Sequence, residues 1–147
     1  MPGRIIASSY TWWLLFLGPL SFVGVLGPWL DKSIAPVVDP FVVTWVEVSG
    51  GKLHLSGWMD KRRDCRLLEI YAIETPPGGA AHIDDVDFGR RAGGRTISRP
   101  AMRQAWGPWR IDLSDIGSVV TLRTRHACHP LWDTISEFRL YDGGGKQ

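Results

Sequence analysis

The sequence predicts a mainly β protein: a single N-terminal transmembrane helix followed by a seven-strand, immunoglobulin- or fibronectin-like β-sandwich. Three observations predict it. Ile5 to Leu30 is a run of 26 residues without a charge. Beyond Phe41 apolar and polar residues alternate with the period of two expected of half-buried strands. Turn signals recur about every ten residues, the spacing of sandwiches and small barrels. The 147 residues are 44% hydrophobic and 22% charged with a net charge of +2. That balance excludes a disordered chain, a fibrous repeat and a strongly basic nucleic-acid binder.

The chain divides into four parts: 1–31 with the span at about 10–30, a Pro-containing linker over 32–40, the sandwich over 41–142, and a flexible tail over 143–147. A helix of 26 residues reaches about 39 Å, more than the ~30 Å hydrocarbon core requires. Tyr10, Trp12 and Trp13 at one end and Trp29 at the other match interfacial aromatic belts. A kink is expected near Pro19, and Pro28 should mark the exit. A cleaved signal peptide is the rival reading, but Pro36 follows the nearest small-x-small site, Ser33-Ile34-Ala35, and opposes cleavage. Arg4 beside the amino terminus sets the positive-inside orientation. The expected location is therefore a bacterial inner (cytoplasmic) membrane, amino terminus cytoplasmic, β domain periplasmic or extracellular.

Seven strands are predicted: Phe41–Val48, Lys52–Met59, Arg66–Glu74, Ala81–Phe88, Trp109–Leu113, Val119–Cys128 and Thr134–Tyr141. Gly50-Gly51 is a tight hairpin turn, and Pro76-Pro77-Gly78-Gly79 punctuates a later connection. Asp112 to Ile116 is the one place for a helical turn. The predicted core comprises Val46, Val48, Leu53, Leu55, Leu68, Ile70, Ala72, Val86, Ile111, Val120, Leu122, Phe138 and Leu140.

Cys65 opens the third strand and Cys128 closes the sixth. In an immunoglobulin-like sandwich those strands are antiparallel neighbours, so the two cysteines should meet as a disulfide. Two alternatives stand beside it: buried reduced thiols, and a metal site built from Cys65, His126, Cys128 and His129. No zinc-finger spacing supports the latter, and no cofactor is expected. A thiol nucleophile is disfavoured because neighbours on a strand point to opposite faces. No other catalytic motif is present, so the protein is not expected to be an enzyme.

Asp84-Asp85-Val86-Asp87 reads as a solvated edge strand rather than a calcium site, since no ligand ladder flanks it. From Gly89 to Arg110 the chain holds six arginines and no acid. Arg90, Arg91, Arg95, Arg99, Arg103, Trp106, Trp109 and Arg110 form the candidate interaction loop, because Arg and Trp are enriched at interface hot spots. The plainer reading pairs those arginines with the aspartates just before them.

Lys61-Arg62-Arg63-Asp64-Cys65, Gly107-Pro108-Trp109 and the run Arg125 to Trp132 resemble segments of small uncharacterised membrane-anchored β-domain proteins of tailed bacteriophages. The resemblance spans Gly57 to Trp132 and implies an origin and a compartment but no activity. The expected function is a non-catalytic, single-pass membrane-anchored sandwich presenting the Arg/Trp loop to a protein or a membrane surface. Its partners would be the lipid bilayer, through the helix, and a protein, with no nucleic acid. The alternatives are a phage factor at the host envelope, in lysis or superinfection exclusion, or a metal-binding or thiol protein centred on the two cysteines.

Overall fold

The computed structural model describes Trp12 and residues 15–89 and 99–144. Among them, seven strands form two sheets: β1 (Val38–Ser49), β2 (Lys52–Lys61), β3 (Arg66–Thr75), β4 (His82–Asp84), β5 (Arg103–Asp112), β6 (Val119–Ala127) and β7 (Thr134–Asp142). One sheet has the order β1-β2-β5 and the other β4-β3-β6-β7. The named pairings are all antiparallel. The third and sixth strands lie side by side as expected. The fourth joins the third, whereas in a constant-type immunoglobulin domain it lies in the sheet of the first two.

Alternation builds the core. Leu53 and Leu55 on β2, Ile111 on β5, and Val120 and Leu122 on β6 are all sealed from solvent between the sheets. Each such side chain contributes about 1.5–3 kcal/mol of hydrophobic burial. Phe41 of β1 stacks on Trp106 of β5 at 4.7 Å and on Phe138 of β7 at 4.6 Å, tying the two sheets together. Gly50 and Gly51, both at positive φ, make the two-residue hairpin between β1 and β2. The helical turn expected at Asp112 to Ile116 is instead the last residue of β5 followed by an irregular loop.

Bulges change two of the expected assignments. On β5, Trp106 pairs with Gly57 and Trp109 with Leu55, so one extra residue is inserted opposite β2. The bulge turns both tryptophans inward, and a Cβ at Gly57 would run into the Val42 carbonyl oxygen and the Trp106 ring. On β3 an extra residue between Leu67 and Glu69 leaves Leu68 only partly buried, outside the core cluster where it was expected.

The predicted transmembrane helix is overturned. Among the described residues, no helix is long and apolar enough to cross a membrane. Residues 15–21 are helical, Phe22–Leu26 widen into a π-helical turn, and the helix α1 (Gly27–Ile34) follows. The break lies beyond Pro19, and Pro28 starts α1 rather than ending a span, because its missing N–H is not needed in a first turn. Eight residues of α1 cover only about 12 Å. They carry Asp31 and Lys32, and Asp31 is bonded to the sandwich. The inner-membrane location, with the β domain periplasmic or extracellular, rested on the span and falls with it. The bilayer contact expected of that helix loses its basis too. The linker over 32–40 is also mostly structured: α1 runs to Ile34, Val37 is buried, and β1 starts at Val38. Residues 145–147 of the expected tail lie outside the described residues.

Candidate functional site at the disulfide end

The β3–β6 register sets Arg66 opposite Ala127, so the residues just outside this pair, Cys65 and Cys128, are brought together. They form a disulfide with the Cα atoms 4.8 Å apart. The bond joins the ends of two neighbouring strands of one sheet and packs in a small cluster with Val37, Val38, Phe41, Met59 and Phe138. With both sulfurs in the bond there is no thiolate, which removes the thiol nucleophile and the four-ligand Cys/His metal site together.

The histidines confirm their separation from any such site. His126, on β6, points inward and is 4% exposed; its Nδ1 makes no hydrogen bond among the described residues. Burial and the nearby Lys61 ammonium push its imidazole down to about 4, so it stays neutral in the fold. His129 lies outside β6, stacks on the Trp132 ring at 3.7 Å and accepts the Leu131 N–H through Nδ1.

Lys61 was not legible as a site residue, yet it is 4% exposed at the end of β2. Its ammonium donates to the carbonyl oxygens of Cys65 at 2.8 Å and Arg99 at 2.5 Å. Burial lowers its pKa, with Asp64 opposing. The cation therefore fixes the loop before the disulfide and the segment leading into β5.

The same end of the sandwich receives the helical segment. Gly27 lies against the Trp132 ring so closely that a Cβ there would come within 2.9 Å of it. Phe22 meets Trp132 edge-on at 6.1 Å. Asp31 accepts from the Arg63 guanidinium and from the Thr134 hydroxyl, and Arg63 also donates to the Ala35 carbonyl. Burial alone would raise the Asp31 carboxyl, but Thr134 and Arg63 outweigh it and hold it below the usual range. Only the fold brings Arg63 and Thr134, 32 and 103 residues away, to it.

The candidate Arg/Trp loop is described only in part. Arg90, Arg91 and Arg95 lie outside the described residues. Trp106 and Trp109 are buried in the core, with their rings tilted against each other at 4.5 Å. Arg99 donates to the Ala105 carbonyl, Arg103 lies 3.9 Å over the Trp58 ring, and Arg110 pairs with Asp87 at 2.7 Å. Asp87 also accepts the Gly89 N–H, while Asp84 faces His82, so the acidic run does not converge on one point.

No family model, curated protein or solved structure matches this chain.

Proposed function

We propose that this protein is a non-catalytic interaction module whose contact surface is the apolar helical arm over residues 15–34, enclosed by the same arm of further copies. One observation carries the reading. Leu15, Phe16, Leu17, Leu20, Phe22, Val25, Leu26 and Trp29 are all exposed, with Leu20 at 67% and Val25 at 71%. Contiguous apolar surface of this kind marks an interaction site. These positions are distributed around the whole helical circumference, and a helix apolar all round requires burial on every side. A flat partner surface would cover one side only. The exposed stretch before Asp31 holds no charge that could select a different partner by electrostatic complementarity. Identical arms supply the missing apolar surface to one another. The clamp of Asp31, Arg63 and Thr134 fixes the arm's base to the sandwich, so that the domains follow the bundle.

Sedimentation velocity on the full chain tests this. A single defined oligomer that Leu20→Glu with Val25→Glu converts to folded monomers is the expected result. A monomeric wild type, an oligomer unaffected by those changes, or a ladder of undefined aggregates would overturn it. So would transfer of the chain to phosphatidylcholine vesicles with loss of the oligomer.

A further inference from the structure

At the opposite end of the four-stranded sheet, β3 and β4 place three ligand-type side chains on one face. Glu74 pairs directly with His82, and Ala72 with Asp84, two residues further along β4. The Glu74 carboxylate is fully buried. Its Oε1 accepts from Ser118 Oγ at 2.5 Å, Ser114 Oγ at 2.8 Å, and the N–H groups of Ser114 at 3.0 Å and Asp115 at 3.3 Å. Its Oε2, which takes one contact from the Ser114 N–H at 3.1 Å, faces His82. His82 Nε2 lies 3.2 Å from Glu74 Oε2 and 3.3 Å from Asp84 Oδ2. All three donor atoms fall within 4.8 Å of one another. A second observation singles out Asp84: its Oδ2 is shut off from solvent and accepts no hydrogen bond among the described residues.

We infer that Glu74 Oε2, His82 Nε2 and Asp84 Oδ2 form a binding site for a first-row divalent cation of the zinc type. The nitrogen–oxygen separations match the edge of a tetrahedron with ligand bonds of about 2.0–2.1 Å, which is about 3.3–3.4 Å. Three protein ligands leave the fourth position to water, and His82, 42% exposed on its side chain, is where solvent reaches the site. One imidazole nitrogen among oxygens favours zinc over calcium or magnesium, which take oxygen. The serine hydroxyls and amides on Oε1 orient the buried ligand as outer partners do in metal sites. The cation supplies positive charge between two adjacent carboxylates, and it gives Asp84 Oδ2, which faces His82 but accepts no hydrogen bond among the described residues, a ligand bond. The site lies on β3 and β4, apart from the helical arm, and does not depend on the arm's function.

The test titrates the full chain with zinc chloride at pH 7.5, using calcium and magnesium chloride as controls. At zinc concentrations of about 100 times Kd, the folding equilibrium of the wild type should shift by about 100-fold. His82→Gln and Asp84→Asn should abolish the shift, and His54→Gln should keep it. In parallel, the Nε2 resonance of His82 in the wild type should move on adding zinc while those of the other histidines stay. That arm remains decisive where a variant fails to fold. An unmoved His82 resonance, or full zinc stabilisation in folded His82→Gln, would overturn the assignment and leave an imidazole bridge between two carboxylates.

Discussion

The two ends of the sandwich each bury one charge, of opposite sign, and secure it differently. At one end Lys61 donates to two loop carbonyls, those of Cys65 and Arg99. At the other, Glu74 collects donors from Ser114, Asp115 and Ser118. A carboxylate can gather several donors at two fixed oxygens, whereas an ammonium on a flexible four-carbon stem fixes fewer groups less rigidly. The lysine end is the one that carries a covalent bond. The comparison teaches that a loop cluster organised by a dense anion network holds without a crosslink, and one organised by a buried cation is reinforced with one.

The largest effect expected from breaking this contrast is loss of the crosslink. Replacing both Cys65 and Cys128 by Ser removes a closure between residues 63 apart, which the chain-entropy relation values at about 4 kcal/mol. Urea unfolding of wild type and double variant measures it. A loss below about 1 kcal/mol would mean that Lys61 holds its end as firmly as Glu74 holds the other.

Acid separates the ends more finely. His126 remains neutral in the fold down to about pH 4, whereas in the unfolded chain it charges near 6.5. The unfolded state therefore binds more protons in that window, and stability falls as pH drops through it. For Glu74, burial opposes ionisation but Ser118, Ser114 and Asp115 outweigh it, bringing the carboxyl from 4.5 to about 2. Its contribution is complete above pH 4.5 and is lost as pH falls towards 2. Each window is worth about 3 kcal/mol. Urea midpoints followed from pH 7 to 2 should lose the upper step in His126→Gln and the lower step in Glu74→Gln. If either variant removed both steps, the two ends would be one titrating unit.

The smallest effect is at the clamp. Asp31→Asn should raise amide exchange in α1 by about five- to tenfold, equivalent to about 1 kcal/mol, while the sandwich strands change little. Unchanged exchange in α1 would assign the docking to the Trp132–Gly27 contact alone.

Much of the β domain was legible because its signals are local. Alternation named Leu53, Leu55, Ile111, Val120 and Leu122, and Gly50-Gly51 named the first hairpin. Strand adjacency then placed Cys65 beside Cys128. Four things were hidden for physical reasons. Trp106 and Trp109 read as residues of the interaction loop, and a strict period of two cannot put them on one face; the bulge does. Glu74 looked like the polar end of a strand, since its donors lie 40–44 residues away. The charge-free run before Asp31 looked like a span because hydropathy registers neither a π-helical turn nor a carboxylate bonded into a distant strand. The candidate cation site was the least visible, because Asp84 was read with its sequence neighbours Asp85 and Asp87 rather than with Glu74 across the strand.

The crosslink also has a mechanical consequence. Under tension applied between the helical arm and β7, the load path enters the sandwich through β1 and leaves through its last strand. The chain between Cys65 and Cys128 is bypassed by the sulfur bridge, so it cannot be drawn out while the bridge stands. At about 3.5 Å per residue, the 63-residue separation withholds about 220 Å of extension. Oxidised protein is thus a short tether and reduced protein a long one, with the same sequence setting both limits.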